Sequence, residues 1–310
     1  MEQIYDVIII GGGPAGLSAG LYAGRGRVKA LIIEQGRDGG QIASTDEIEN
    51  YPGQMLENET GTSLVARMTK QVEKFGVKRV TAAVKSVELE GNVKSIITAN
   101  ETYKGYNIII ATGAYPKPIG CKGESEFIGR GVSYCATCDA NFFEGLEVFV
   151  VGGGDSAVEE AIYLTKFARK VTIIHRRDEL RAAKSIQEKA FSNAKIEFLW
   201  NSTVEEVYGE GVVQGLKIRN VITEEVTHME ADATDGVFGV FGFIGTTPHT
   251  SLFEGMLNMQ NGYIKTDENM HTNLDGVYAV GDVRVKSLRQ VVTAVADGAI
   301  AAVQIAEEHK

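Results

Sequence analysis

Tyr5–Gly16 reads YDVIIIGGGPAG, a β-branched apolar run followed by glycines at 11, 12, 13 and 16. The run suits a parallel strand buried on both faces. Gly11, Gly13 and Gly16 give the spacing GxGxxG, with Pro14 and Ala15 between the last two, and Leu17–Gly24 continues in the small and apolar residues of a helix packed closely on a sheet. Glycines so arranged permit a tight turn and let backbone amides approach a pyrophosphate at the helix N-terminus. A second strand, Ala30–Ile33, ends in Glu34, 18 residues beyond Gly16. A carboxylate there accepts hydrogen bonds from an adenosine ribose. Strand, glycines, helix, strand and acid stand in register, which a chance glycine-rich turn would not produce.

The pattern recurs. Glu147–Val151 is a second buried strand, followed by Gly152, Gly153, Gly154, Asp155, Ser156 and Ala157, a GxGxxA fingerprint, with Val158–Phe167 as its helix. Its following strand, Val171–Ile174, ends not in an acid but in His175, Arg176 and Arg177, with Arg181 expected one helical turn farther on. Guanidinium forks match a phosphate bidentately, so this unit is expected to take the 2′-phosphate of NADP.

The remaining chain fills in around these units. Residues 36–53, with Gly40, Gln41 and Asn50, are rich in turn formers and suggest a loop reaching along a long cofactor. Leu64–Phe75 reads as an amphipathic helix, and short strands are expected around Val80–Leu89 and Val93–Thr98. Tyr106–Ile110 is a strand leading into Ala111, Thr112 and Gly113. Pro116 and Pro118, two of only five prolines, mark a linker. Residues 196–232 read as an antiparallel meander, and Asp235–Thr247 as a strand and a crossover back. Gly276–Val280 is a strand ending in Gly281 and Asp282, after which Arg289, Gln290 and Val291 open a last helix to about Glu307. An acid at a strand end can bind a ribityl hydroxyl, and a helix N-terminus can face the electron-rich edge of a flavin.

Between linker and second fingerprint lies SYCATCD, residues 133–139, with two of the three cysteines. A CxxC pair closes a small ring, and one thiol in such pairs has a depressed pKa. Asp139 stands ready to carry the proton that a thiolate gains or loses. A structural zinc site needs four Cys or His ligands in paired clusters, and only Cys121 and five scattered histidines remain. A purely structural disulfide fits poorly with so few cysteines. Redox chemistry is the favoured reading.

Composition sets outer bounds. A net charge of -10 argues against nucleic acid, whose phosphates demand clustered Lys and Arg. No apolar run approaches the ~20 residues that span a bilayer. The N-terminus lacks the basic head of a signal peptide, so the expected location is the cytoplasm.

Taken together and in order, GGGPAG at 11–16, GGQ at 39–41, ATG at 111–113, CATCD at 135–139, GGGDSAVEE at 152–160, HRRDELRA at 175–182 and GD with RQV at 281–291 closely resemble the low-molecular-weight thioredoxin reductases. The resemblance implies an α/β fold of two Rossmann-like, three-layer nucleotide-binding domains, an NADPH domain (116–245) inserted into a discontinuous FAD domain (1–115 and 246–310). It implies a homodimer and a thioredoxin or thioredoxin-like protein as partner. Gly11, Gly13, Pro14, Ala15, Gly16, Glu34, Gly40, Gln41, Asn50, Ala111, Thr112, Gly113, Gly281, Asp282, Arg289, Gln290 and Val291 would hold FAD. Gly152, Gly154, Asp155, Ser156, His175, Arg176, Arg177 and Arg181 would hold NADPH. Cys138 would face the flavin, Cys135 would attack the protein substrate, and Asp139 would be the acid. Cys121 matches no motif and is expected to be inert. Glutathione- or lipoamide-type reductases carry cysteines soon after the first fingerprint, and Gly39–Ile42 has none. A flavin-bound redox sensor is the non-enzymatic alternative.

Overall fold

The computed structural model describes residues 3–44, 48, 50–55 and 59–308. The chain divides into two compact units, Met1–Tyr115 with Thr247–Lys310, and Pro116–Thr246.

In the first unit, strands Lys78–Thr81, Ala30–Glu34, Ile4–Ile10 and Thr102–Ile110 lie side by side and parallel, and Val277–Ala279 joins parallel to the end of Thr102–Ile110. Lys94–Thr98 and Val84–Glu88 extend the sheet antiparallel. Alternation along the central strand divides the core. Val7 and Ile9 face the helices Pro14–Arg25, Gly61–Lys74 and Val291–Glu308, whereas Ile8 and Ile10 face a layer containing Val87, Leu89, Phe253 and Leu257. Each of these four strand residues is at most 4% exposed, so each contributes roughly 1.5–3 kcal/mol of burial. The last helix belongs here because Gly298 lets it touch the first helix backbone to backbone: a Cβ at Gly298 would lie 2.1 Å from Ala15 O. Ser18 Oγ donates to Val295 O at 2.7 Å across the same contact.

The second unit repeats the plan. Ile196–Leu199, Lys170–Ile174, Glu147–Val151, Gly239–Gly242 and Val132–Ser133 form a five-stranded parallel sheet in that order. Helices Asp155–Leu164 and Lys184–Phe191 cover one face. The antiparallel strands Ser202–Tyr208, Gly215–Asn220 and Val226–Glu230 cover the other.

Two expectations need correction. Ile196–Leu199 is not part of the meander; it pairs parallel with Lys170–Ile174 as the sheet's edge, because Val171 N–H is drawn to Lys195 O at 2.8 Å. Arg181 is not one helical turn beyond Arg177. The 176–183 segment is irregular and the helix begins at Lys184, because tertiary hydrogen bonds described below hold the segment instead.

Candidate functional site

In the first unit the glycines of the first fingerprint divide their duties. A Cβ on Gly11 would lie 2.3 Å from Ala111 O, and φ there is 113°, so only glycine serves. A Cβ on Gly16 would meet Gly11 O at 1.9 Å, which fixes the close packing of helix on turn. Gly13, the residue that caps the helix with Pro14 after it, has nothing closer than 3.9 Å in its Cβ direction. Two glycines are therefore demanded by the fold, and the middle one leaves its backbone open to a visitor.

The other residues predicted for this unit gather around that turn. Glu34 accepts the Gly12 N–H at 2.6 Å and the Gly36 N–H at 3.0 Å. Gly39 N–H donates to Gly12 O at 2.8 Å, bringing the exposed Gly40 and Gln41 alongside the fingerprint, and Gln41 Nε2 donates to Ala114 O. Ala111 abuts Gly11 and Gly16. Thr112 Oγ1 donates to His249 O at 2.7 Å, and His249 N–H to Gly113 O at 3.0 Å. Asn50 Nδ2 donates to Gln290 Oε1 at 3.2 Å, tying the loop to the start of the last helix, which begins at Val291. Gly281, at φ 73°, sits against Ala15. Asp282 follows it in a short 3-10 turn, and its Oδ1 is buried with no hydrogen-bond partner in the protein. Burial raises the pKa of Asp282, opposed by the charges of Lys286 and Arg289.

In the second unit the parallel sheet sets the geometry, because its strands all end on the same side. Val151 leads into Gly152, Ile174 into His175, and Val132–Ser133 into the cysteines. Carboxyl ends of parallel strands are where such folds bind ligands. Gly152 is packed, its Cβ direction blocked by Phe243 O at 2.5 Å, while Gly154 is open, its nearest neighbour Arg181 Nη2 at 3.8 Å. Arg181 N–H donates to Gly153 O at 2.7 Å, and Asp155 Oδ1 accepts the Ala183 N–H at 2.7 Å. These two bonds lay the arginine segment along the glycine turn. Ser156 is exposed on the first turn of the helix.

His175 and the arginines separate. Arg176, Arg177 and Arg181 are exposed, and none forms an ion pair among the described residues. His175 is instead 6% exposed, its ring packed under Gly153, where a Cβ would lie 2.4 Å from it. Burial, then the charges of Arg181, Arg177 and Arg176, lower its pKa. It supports the turn from beneath.

Cys135 and Cys138 are joined in a disulfide, their Cα atoms 5.3 Å apart, and both are half-buried. Ala136, buried to 1% exposure, anchors the single helical turn Ala136–Asp139. Ser133 organises the ring. Its Oγ donates to Asp139 Oδ2 at 2.5 Å and accepts the Cys135 N–H at 3.1 Å. Thr137 Oγ1 lies 3.4 Å from Cys135 Sγ. One residue on, Tyr134 OH donates to Glu124, a buried carboxylate that also accepts the Ile119 N–H at 2.5 Å and the Gly120 N–H at 2.7 Å. Sequence reasoning did not single out Ser133 or Glu124. A serine two residues before the cysteine is a local side-chain-to-backbone signal that could have been read; Glu124 offers none. Cys121 is a free half-buried thiol whose pKa burial pushes up to about 11. No group of three or more potential metal ligands occurs among the described residues.

The arrangement offers two dinucleotide turns, one ending in an acid and one bordered by unpaired arginines, and a disulfide beside an acid. Comparison with known proteins agrees. Residues 5–298 match the pyridine nucleotide-disulphide oxidoreductase family. The chain is 57% identical over 305 residues to a thioredoxin reductase of Peptoclostridium acidaminophilum, spanning 98% of this chain and 96% of that one. It is 48% identical over 304 residues to the thioredoxin reductase of Bacillus subtilis (strain 168), spanning 97% and 93%. The crystal structure of thioredoxin reductase from Streptococcus pyogenes MGAS5005 superposes with a TM-score of 0.93 at 44% identity, over 100% of both chains. By fold, fingerprints and cysteine pair, the chain belongs to the pyridine nucleotide-disulphide oxidoreductases.

Proposed function

We propose that the protein is an NADPH-dependent thioredoxin reductase in which FAD is held by the first unit and NADPH by the second. The observation that carries the reading is the Cys135–Cys138 disulfide at the carboxyl end of a strand in the same parallel sheet as the second fingerprint. The residues of the first unit fit a flavin dinucleotide. The Gly13 backbone is open for a pyrophosphate, and the buried Asp282 Oδ1 lacks a protein partner, as an acceptor for a ribityl hydroxyl would. Glu34 would take the adenosine ribose, and Gln41, Asn50, Thr112, Arg289, Gln290 and Val291 would line the remainder. In the second unit Gly154 and Ser156 would take the NADPH pyrophosphate, with Asp155 and His175 supporting the turn from behind. The exposed Arg176, Arg177 and Arg181 would bind the 2′-phosphate.

When bound, the flavin would supply two-electron transfer between NADPH and the disulfide. The chain's own residues then run a thiol–disulfide exchange. The Cys135 thiolate attacks a sulfur of the thioredoxin disulfide, forming a mixed disulfide and releasing one substrate thiolate. Cys138 then attacks Cys135 Sγ, restoring the internal disulfide and freeing the second substrate thiolate. Asp139, held by Ser133, supplies and recovers the proton. Nicotinamide and disulfide both belong to the Pro116–Thr246 unit and must each meet one flavin, so the units take turns by rotation about the connecting segments. Covalently locking them together is expected to stop turnover, and full-rate turnover of a locked enzyme would refute the rotation.

We also infer a homodimer, consistent with Val292, Ile300 and Val303 standing 36–40% exposed along the last helix, and a cytoplasmic location. Sedimentation velocity would detect the dimer. No described helix is long and apolar enough to cross a membrane. The deciding experiment is thioredoxin-disulfide reduction with NADPH and NADH, using native protein and Cys138→Ser. NADPH-driven turnover abolished by the substitution is expected. Bound flavin without turnover with either nucleotide would favour a different electron donor or the redox sensor.

A further inference from the structure

Behind the Gly281–Asp282 turn lies a buried ionic cluster to which no step above gives a role. Asp297, on the last helix, accepts the Lys286 Nζ at 2.7 Å and the Gly281 N–H at 3.0 Å through Oδ2, and Arg284 Nη1 stands 3.3 Å from both of its oxygens. The side chains of Arg284, Lys286 and Asp297 are only 13%, 7% and 8% exposed. Arg284 Nε also donates to Thr266 Oγ1 at 2.8 Å, which fixes the guanidinium. Two cations therefore share one anion, an excess of one positive charge in a poorly solvated place where such a charge is weakly screened. Burying charges this way is costly for stability alone. The facing groups, Asp282 and Arg289, are one of each sign and offset one another.

We propose that the Arg284–Lys286–Asp297 triad tunes the bound flavin, its excess positive charge favouring the reduced form, with Asp297 the positioning residue that fixes both cations and the Gly281 turn. This rests on the assignment of FAD to the first unit. A hydride from NADPH delivers two electrons and a proton to a neutral oxidised ring and leaves an anionic reduced ring at neutral pH, with NADP⁺ released. A fixed cation beside the turn stabilises that anion relative to the neutral ring. The charges reach the turn: Lys286 and Asp297 act in opposite directions on the ionisation of Asp282.

The test is the midpoint potential of the bound flavin, measured by equilibration with a reference redox dye, for the native holoprotein, Asp297→Asn, Lys286→Met and Arg284→Gln. Removing the anion should raise the potential, and removing either cation should lower it. Each change is expected to be about tenfold in the reduction equilibrium, or about 30 mV for a two-electron couple. Opposite signs are the signature, because a merely structural disturbance would move all three variants the same way. Arg284, the most exposed member, keeps the test available where Lys286→Met does not fold. Shifts of one sign, or none, would overturn the proposal while leaving the flavin assignment intact. A native protein that binds no flavin would overturn the assignment, and this proposal with it.

Discussion

Replacing Arg176, Arg177 and Arg181 by glutamine, singly and together, should convert a phosphate-reading enzyme into one indifferent to the phosphate. All three guanidiniums are exposed and without carboxylate partners among the described residues, so none must break an existing ion pair to reach a ligand. A hydrogen bond to a charged group contributes about 1.5–3 kcal/mol net, and solvent exposure places each arginine at the low end. About 1.5 kcal/mol is roughly tenfold in kcat/KM for NADPH. The triple variant should lose on the order of 100- to 1,000-fold, less than strict additivity because the three share one ligand. NADH, lacking the phosphate, should change less than about twofold. Steady-state kcat/KM with each nucleotide, repeated across ionic strength, is the assay, and the native preference should shrink as salt rises. The same substitutions carry an independent readout. Behind burial itself, Arg181 is the largest cause of the lowered His175 pKa, so Arg181→Gln should raise that pKa toward its ordinary value, observable by NMR of the ring protons. Parallel loss for NADPH and NADH would show that the arginines shape the glycine turn and do not read the phosphate.

Gly13→Ala should leave stability within about 1 kcal/mol yet weaken flavin retention, because its Cβ enters the open side of the turn, whereas Gly16→Ala drives a Cβ to 1.9 Å from Gly11 O and should prevent native folding; urea unfolding and flavin content separate the two. Glu124→Ala strands two backbone N–H groups and the Tyr134 hydroxyl, and should cost about 3 kcal/mol or more in urea unfolding, with Tyr134→Phe costing about 1–2. Equal stability in both variants would refute the role given to that carboxylate. Cys121, its pKa pushed up to about 11, should react with iodoacetamide roughly a thousandfold below its limiting rate at pH 8, rising tenfold per pH unit; the oxidised protein should thus show no fast thiol, and the NADPH-reduced protein two.

Features that must be written in particular residues were the readable ones. Gly11 and Gly16 are demanded because a Cβ at either would lie less than 2.5 Å from a backbone oxygen, so the strand–turn–helix unit announces itself. The cysteine ring needs only its spacing. Features decided by distant partners were opaque. RRDELRA is built of good helix formers, yet Gly153 O and Asp155 capture the backbone of Arg181 and Ala183 and hold it irregular. IEFL has strand propensity but carries no direction, so its parallel pairing at residues 196–199 could not be told from the antiparallel strands that follow. Glu124 and Asp297 are ordinary acids in sequence, and only the fold shows that one anchors the approach to the cysteines and the other collects two cations behind Asp282.

Within the Pro116–Thr246 unit, Lys117 N–H donates to Gly245 O at 2.8 Å, so this unit's two chain ends are neighbours. A segment whose ends already meet is a topological cassette. It can be removed from its host sequence, or have its ends fused and be opened elsewhere. The host has the matching property, since His249 N–H donates to Gly113 O at 3.0 Å where the inserted stretch leaves and returns. Closing so long an excursion costs little more entropy than closing a short one. Insertion on this plan lets a nucleotide-binding module be exchanged between hosts as a piece, each half keeping its own core.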